Sequence, residues 1–335
     1  MRPHRRPGPC HGAGALHHRR HAAGHPLGVS GIAVSERILV IKLAALGDVV
    51  QAFTPFAAIR AHHPGAHITL LTTAPFAPLL RRAPWFDEIW DDGRPDWSDL
   101  RAVARLAWRL RRAGFGRVYD LQTSSRSSRY RWFTGRAAWS GVESHHRVNP
   151  NRNALHTLER QREQLAIAGI RDFPPPALDW LDDPLADFNL PPCFVLLVPG
   201  ASPGRPGKRW PVARFAELAM RLQAPPVVLG GPAEAPLAAE ILRARPDGLD
   251  LTGRTSLAQI GALARRAAAA IGNDTGPTHL AAAAGCPTLT VFGGDSDPAL
   301  AAPRGPVSAW VRQVPLSALT VEQVLAKLAT LKRPA

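Results

Sequence analysis

Apolar residues follow two rhythms along most of this chain: short unbroken runs, and stretches where they recur every three or four positions. The runs Ile38–Ile41, His67–Thr72 and Arg117–Gln122 read as buried strands. Val49 to about His62 carries helical spacing through Val49, Phe53, Phe56 and Ile59, and Trp97–Ala113 predicts a second, longer helix. Strand, helix, strand in this order predicts a parallel sheet with crossover helices. Thr123–Asn153, rich in Ser, Arg and Trp, gives no regular pattern, and Asn151 to about Gly169 reads as a helix that stops at glycine.

Proline clusters at 174–176 and 191–192, with Asp182-Asp183-Pro184 between them, predict a linker. A second alternating unit follows. Its strands are expected at Cys193–Val198, Val227–Gly230, Ala268–Gly272 and Thr288–Phe292, and its helices at Val212–Leu222, Ala233–Arg243, Leu257–Arg266 and Pro277–Ala284. Leu316–Leu331 predicts a last amphipathic helix. The expected organisation is a tail (1–35), an α/β half (36–185), a second α/β half (186–315) and a C-terminal helix (316–335). Ligands of open α/β sheets bind beyond the carboxyl ends of the strands, so the turns there, facing a cleft between the halves, are where chemistry is expected.

Composition narrows the class. Of 335 residues, 45% are hydrophobic and 20% charged, enough to build a core of ordinary size. No apolar run approaches the ~18 residues of a membrane helix. Cys10, Cys193 and Cys286 lie far apart without CxxC spacing, which fits a reducing compartment and neither a disulfide framework nor a zinc knuckle. Charge is the unusual quantity: 41 Lys+Arg against 26 Asp+Glu, net +15, with only four lysines among the cations. A basic surface favours anionic partners, whether nucleic acid, acidic headgroups or phosphorylated sugars. Nucleic acid is disfavoured because no basic motif interleaved with aromatics and no recognition-helix pattern is found. Met1 to about Ser35 holds five arginines, no acid and six of the 13 histidines. It lacks the apolar segment of a secretory signal, and we read it as a disordered basic tail or a start codon placed too early, ahead of a transit peptide or a metal-binding His tract.

Four turns could carry chemistry. In Leu46-Gly47-Asp48-Val49 the glycine permits a tight turn, and Asp48 either caps the next helix or takes a proton from an incoming hydroxyl. The loop 199–211 is rich in Gly and Pro but fails the Walker A and GxGxxG patterns. Its Ser202, Lys208 and Arg209, ahead of a helix, suit a diphosphate held by backbone donors and a point charge. In 271–280, Asp274, Thr275 and Gly276 precede Pro277 at a helix start, and His279 could meet a phosphate or serve as a structural hydrogen-bonder. Glu234, after Gly230-Gly231, could receive ribose hydroxyls or simply favour a helix N-terminus. Asp295-Ser-Asp297 matches an Asp-x-Asp metal pattern without supporting ligands, and no metal is expected. The doublets His62-His63 and His145-His146 read as surface loops.

Together these turns resemble glycosyltransferase family 9, the ADP-heptose:lipopolysaccharide heptosyltransferases. The resemblance rests on four stretches in the family's order. They are Ile38–Lys42 with Leu46-Gly-Asp-Val-Val50; Pro199-Gly-Ala-Ser202 with Lys208-Arg-Trp-Pro211; Gly230–Glu234; and Leu251–Ser256 leading to Gly272–Leu280. They span about Arg37 to Pro298. The resemblance implies a GT-B architecture, two Rossmann-like domains facing a central cleft, and inverting, metal-independent transfer. It implies Asp48 as the general base, Ser202, Lys208, Thr275 and Gly276 (with Asp274 and His279 beside them) around the diphosphate, and Glu234 at the nucleoside.

Two alanines, Ala44 and Ala45, replace the serines usual before Leu-Gly-Asp in that family. Arg126, Arg129, Arg131 and Arg136 would suit an anionic, phosphorylated glycolipid acceptor, or be solvated. The expected donor is an ADP-sugar, with no further cofactor. The expected location is the cytoplasm, with contact to the inner membrane face through basic residues near the cleft mouth. Two alternatives stand beside this reading: a transferase of the same fold with another sugar or acceptor, and a non-catalytic nucleotide-binding protein.

Overall fold

A computed structural model describes residues 36–202 and 204–331; the tail predicted at 1–35 lies outside the described residues. Two parallel sheets stand within one compact unit. The first comprises β1 (Arg37–Ile41), β2 (His67–Leu71), β3 (Glu88–Trp90), β4 (Arg117–Asp120) and β5 (Ala138–Ser140), in the order β3-β2-β1-β4-β5. The second comprises β6 (Val195–Val198), β7 (Pro226–Val228), β8 (Leu249–Asp250), β9 (Ala269–Asn273), β10 (Thr288–Phe292) and β11 (Ser308–Arg312), in the order β11-β10-β9-β6-β7-β8. Each sheet reverses its strand order once, between β1 and β4 and between β6 and β9. In register, Ile38 faces Arg117 across the first reversal and Val195 faces Ala269 across the second.

The central strands are buried on both faces, which is why they read as continuous apolar runs. The edge strands β3, β5, β8 and β11 went unpredicted. They are two to five residues long and half-buried for much of their length, so no apolar run marks them. The helix predicted at Val49–His62 is two helices, Leu46–Gln51 and Phe53–His62, broken at Ala52. Pro55 explains the break: it has no N–H to give the Gln51 carbonyl, so one helix cannot run through. The helix expected from Asn151 begins at Thr157, where the His156 ring accepts the Leu158 N–H at 3.2 Å, and it stops before Gly169, whose φ of 99° is left-handed. The last helix is Val321–Leu328, preceded by a single 3₁₀ turn.

The predicted linker is not a loose tether. Leu181, Leu185 and Phe188 are buried, and Trp180 packs edge-on against Phe53 and Trp85 at ring separations of 5.5 and 5.4 Å. One apolar cluster therefore runs from Ile38 and Val40 of the first sheet, through these residues, to Leu196 and Val198 of the second. A separate cluster backs the second sheet with the C-terminal helix, and a third lies under β1, β4 and the helix Leu100–Ala113.

Candidate active site

Loop 199–210 is held at both ends by one residue at the end of β9. The Asn273 side-chain amide donates to the Pro199 carbonyl at 2.7 Å, and its oxygen accepts the Trp210 N–H at 3.0 Å. Lys208 is thereby brought to the edge from which Asp274, Thr275 and Gly276 emerge, at the strand-order reversal of the second sheet, while Ser202 is exposed in the same loop. The turn after β7 joins them: a Cβ built on Gly200 would lie 2.7 Å from Cγ of Glu234, so that glycine is what lets the two turns touch. Glu234 also accepts the Gly231 N–H at 2.8 Å, giving one carboxylate oxygen to a helix start.

Lys208, half-buried, donates to Oδ2 of Asp274 at 2.5 Å, and Oδ1 of Asp274 meets Nε2 of His279 at 3.1 Å. Burial opposes ionisation of Asp274, but the hydrogen bonds from His279 and Lys208 overcome it and hold the carboxyl down at about 2. The other ring nitrogen, Nδ1, receives the Gln51 side-chain amide at 3.2 Å, and that amide also donates to the Ala301 carbonyl. Because Gln51 donates to Nδ1, the ring proton is on Nε2 and points at Asp274. His279 is buried with both nitrogens engaged. It orients Asp274, and through it Lys208, whereas the sequence left it open as a phosphate contact.

Gly276, expected from the sequence beside a diphosphate, makes a packing contact. A Cβ there would lie 2.5 Å from Cβ of Leu46, while a Cβ on Gly47 would meet the His279 ring at 3.0 Å. The two glycines let helix Leu46–Gln51, which carries Asp48, lie against helix Gly276–Ala283, which follows Asp274 and Thr275.

Asp48 accepts the Ala45 N–H at 3.2 Å and lines a small polar cavity with Lys42, Gln122, Arg152, Arg160 and Gln161. Lys42 is buried and donates to the Leu121 carbonyl at 3.0 Å; burial lowers its pKa against the pull of Asp48. Burial also lowers Arg160, with Asp48 again opposing. Neither cation was foreseen, although Lys42 carried a signal, being one of four lysines in an arginine-rich chain. On the far side of Gln122 lies a second cavity of about 330 Å³ lined by Arg94, Trp97, Arg126 and Arg129. Gln122 fixes the wall between the two by accepting the Leu43 and Ala44 N–H groups at 2.8 and 3.1 Å. Of the four arginines singled out in the sequence, Arg126 and Arg129 face this cavity. Arg131 pairs with Glu143 at 2.8 Å, and Arg136 is exposed.

Two other candidates take structural roles. Asp295 accepts the Gly207 N–H and Asp297 caps the short helix Pro298–Ala301. His145, read from the sequence as a surface loop residue, is fully buried between Arg152 and Glu163, because the irregular segment folds its helix Val142–Val148 onto helix Thr157–Ile167.

Twin parallel sheets with facing carboxyl-edge turns define the GT-B class of glycosyltransferases. The sequence profile of glycosyltransferase family 9 (heptosyltransferase) matches residues 103–323, two thirds of the chain, and the chain belongs to that family. It is 29% identical over 295 residues to lipopolysaccharide heptosyltransferase 2 of Salmonella typhimurium, covering 78% of this chain and 83% of that protein. Its fold matches the structure of E. coli ADP-heptose LPS heptosyltransferase II with a TM-score of 0.69 at 25% identity, over 88% of this chain and 97% of that one. The E. coli heptosyltransferase WaaC with ADP gives 0.71 at 20% identity, over 88% and 99%.

Proposed function

We propose that this glycosyltransferase moves heptose from ADP-heptose to an anionic lipopolysaccharide-core acceptor, with inversion and without a metal. The observation that carries the reading is the packing of Gly47 on His279 and of Gly276 on Leu46. It sets the helix that carries Asp48 against the helix that begins at Gly276, just after the Asp274 that holds Lys208. Two relatives support the donor: one is an ADP-heptose enzyme by name, and another was solved with ADP.

In this mechanism Asp48 takes the proton of the acceptor hydroxyl as its oxygen bonds to the anomeric carbon. The bond from that carbon to the diphosphate oxygen breaks on the opposite face, and the electron pair leaves with ADP. Negative charge then grows on the diphosphate, where Lys208, Ser202 and the backbone N–H groups around Thr275 and Gly276 receive it. The metal-free reading rests on that cation and on the engagement of Asp295 and Asp297 with backbone donors. Glu234 is assigned to the nucleoside. The Arg94–Arg126–Arg129 cavity is assigned to a phosphate or carboxylate of the acceptor, across the Gln122 wall from Asp48. Among the described residues no helix is long and apolar enough to cross a membrane. We place the enzyme in the cytoplasm, at the inner membrane face.

The test is ADP calorimetry together with transfer from ADP-heptose, on the wild type and Asp48→Ala. The expected result is equal ADP binding, with transfer lowered ~10²–10⁴-fold in the variant. Absence of ADP binding would overturn the donor, and full activity in Asp48→Ala would overturn the base.

A further inference from the structure

Helix Leu100–Ala113 buries little of itself. Only Leu106 and Leu110 are buried among its fourteen residues, and its sequence contains five arginines and no acid. Arg109 turns inward, over the Trp90 ring at 3.8 Å and within 3.3 Å of Asp92. The other four, Arg101, Arg105, Arg111 and Arg112, are exposed and form no ion pair among the described residues. Between them stand Leu100, 75% exposed, and Trp108, 62% exposed. At 100° per residue these six side chains fall within one sector of about 140°. Arg111 extends the face: its guanidinium lies 2.8 Å from where a Gly135 Cβ would be, three residues past Trp132, which is 76% exposed. The nearby carboxylates Asp96 and Asp99 accept N–H groups at the helix start.

We infer that this face docks on an anionic lipid surface. Arginines alone would suit any polyanion, but Leu100 and Trp108 have no use against a phosphodiester backbone. At a bilayer they sit at headgroup depth, where tryptophan is enriched, while the arginines reach lipid phosphates. Position agrees with this assignment. The helix begins three residues after Trp97, whose ring lies under Arg126 and Arg129 at 4.7 and 5.6 Å. A lipid-anchored acceptor standing in the docked surface would thus reach the arginine cavity along Trp97. That last link rests on the proposed function; the docking does not.

Flotation of the full chain with phosphatidylcholine vesicles, with and without 30 mol% phosphatidylglycerol, tests the face. Roughly 30 mol% anionic lipid gives a strongly negative surface. The wild type is expected to float only with the anionic vesicles, and Arg101→Glu/Arg105→Glu to lose about tenfold or more in partitioning. Brominated lipid should quench tryptophan emission in the wild type and markedly less in Trp108→Phe, a substitution that preserves fold and charge. Equal partitioning of the double variant, or equal quenching of Trp108→Phe, overturns the assignment. So does binding of duplex DNA that depends on these arginines without vesicle binding. ADP calorimetry on the same samples separates failure of docking from failure of the transferase reading.

Discussion

The side-chain amide of Gln51 donates to Nδ1 of His279, and that bond across the two sheets fixes which nitrogen of the imidazole carries the proton. The Nε2 proton then orients Asp274, and Asp274 holds Lys208. Gln51→Ala should release the ring, lower stability by ~1 kcal/mol and, through Asp274 and Lys208, weaken ADP binding several-fold. Thermal unfolding and ADP titration of the variant check both expectations. Unaltered ADP affinity would show that Lys208 keeps its place without the relay.

Close approach of two helices at glycine makes a sharper expectation. Gly276→Ala forces a methyl against Leu46 and should cost ~1–3 kcal/mol, with loss of transfer exceeding loss of ADP affinity because the sheets are pushed apart. Leu46→Ala removes two of the three atoms nearest that methyl and should partly restore stability in the double variant. A double-mutant cycle by denaturant unfolding reads the coupling.

Asp274 links the site to acid stability. Its carboxyl titrates at about 2 when folded against 3.8 ordinarily, so its contribution is present above pH 4 and lost as pH falls through 2. That contribution is about 2 kcal/mol. Urea unfolding between pH 2 and 6 should show this limb in the wild type and a flatter one in Asp274→Asn.

Asp120 acts with the opposite sign. Burial pushes its carboxyl up to about 6 despite the N–H groups of Gln122 and Thr123, so the fold favours the protonated form. Stability is therefore highest below pH 4 on this account and falls as pH rises through 6, by about 3 kcal/mol. Asp120→Asn keeps an acceptor for both N–H groups and should remove the slope between pH 4 and 6.

How much of this was legible follows from where each signal resides. Central strands announce themselves because both faces are buried, and Asp48, Ser202, Lys208, Glu234 and Asp274 were singled out because each follows such a strand in the chain. Asn273 escaped notice since its side chain works backwards, into a loop more than sixty residues upstream, and no local spacing reports that. Gln51 and Arg160 sit inside helices, where polar residues ordinarily mean a solvated face. Gln51 is buried where its helix meets His279 and Ala301 of the other half, and Arg160 is half-buried beside Asp48 and Lys42 of its own half, relations that periodicity does not encode. The same holds for Gly47 and Gly276, which the sequence offered as turn and phosphate glycines and the structure uses as contact points.

The short helix Pro298–Ala301 ends in carbonyls that no residue of its own helix can satisfy. Thr157, Gln51 and His156, all from the first half of the chain, reach the carbonyls of Leu300, Ala301 and Ala302 at 3.2, 3.0 and 3.0 Å. One half therefore finishes the other's secondary structure, and an apolar cluster continues across the same boundary. Cutting the gene at the proline-rich segment would leave one fragment with bare carbonyls and the other with stranded donors, each with half a core in water. The protein has two sheets but one folding unit, and it should melt in a single transition.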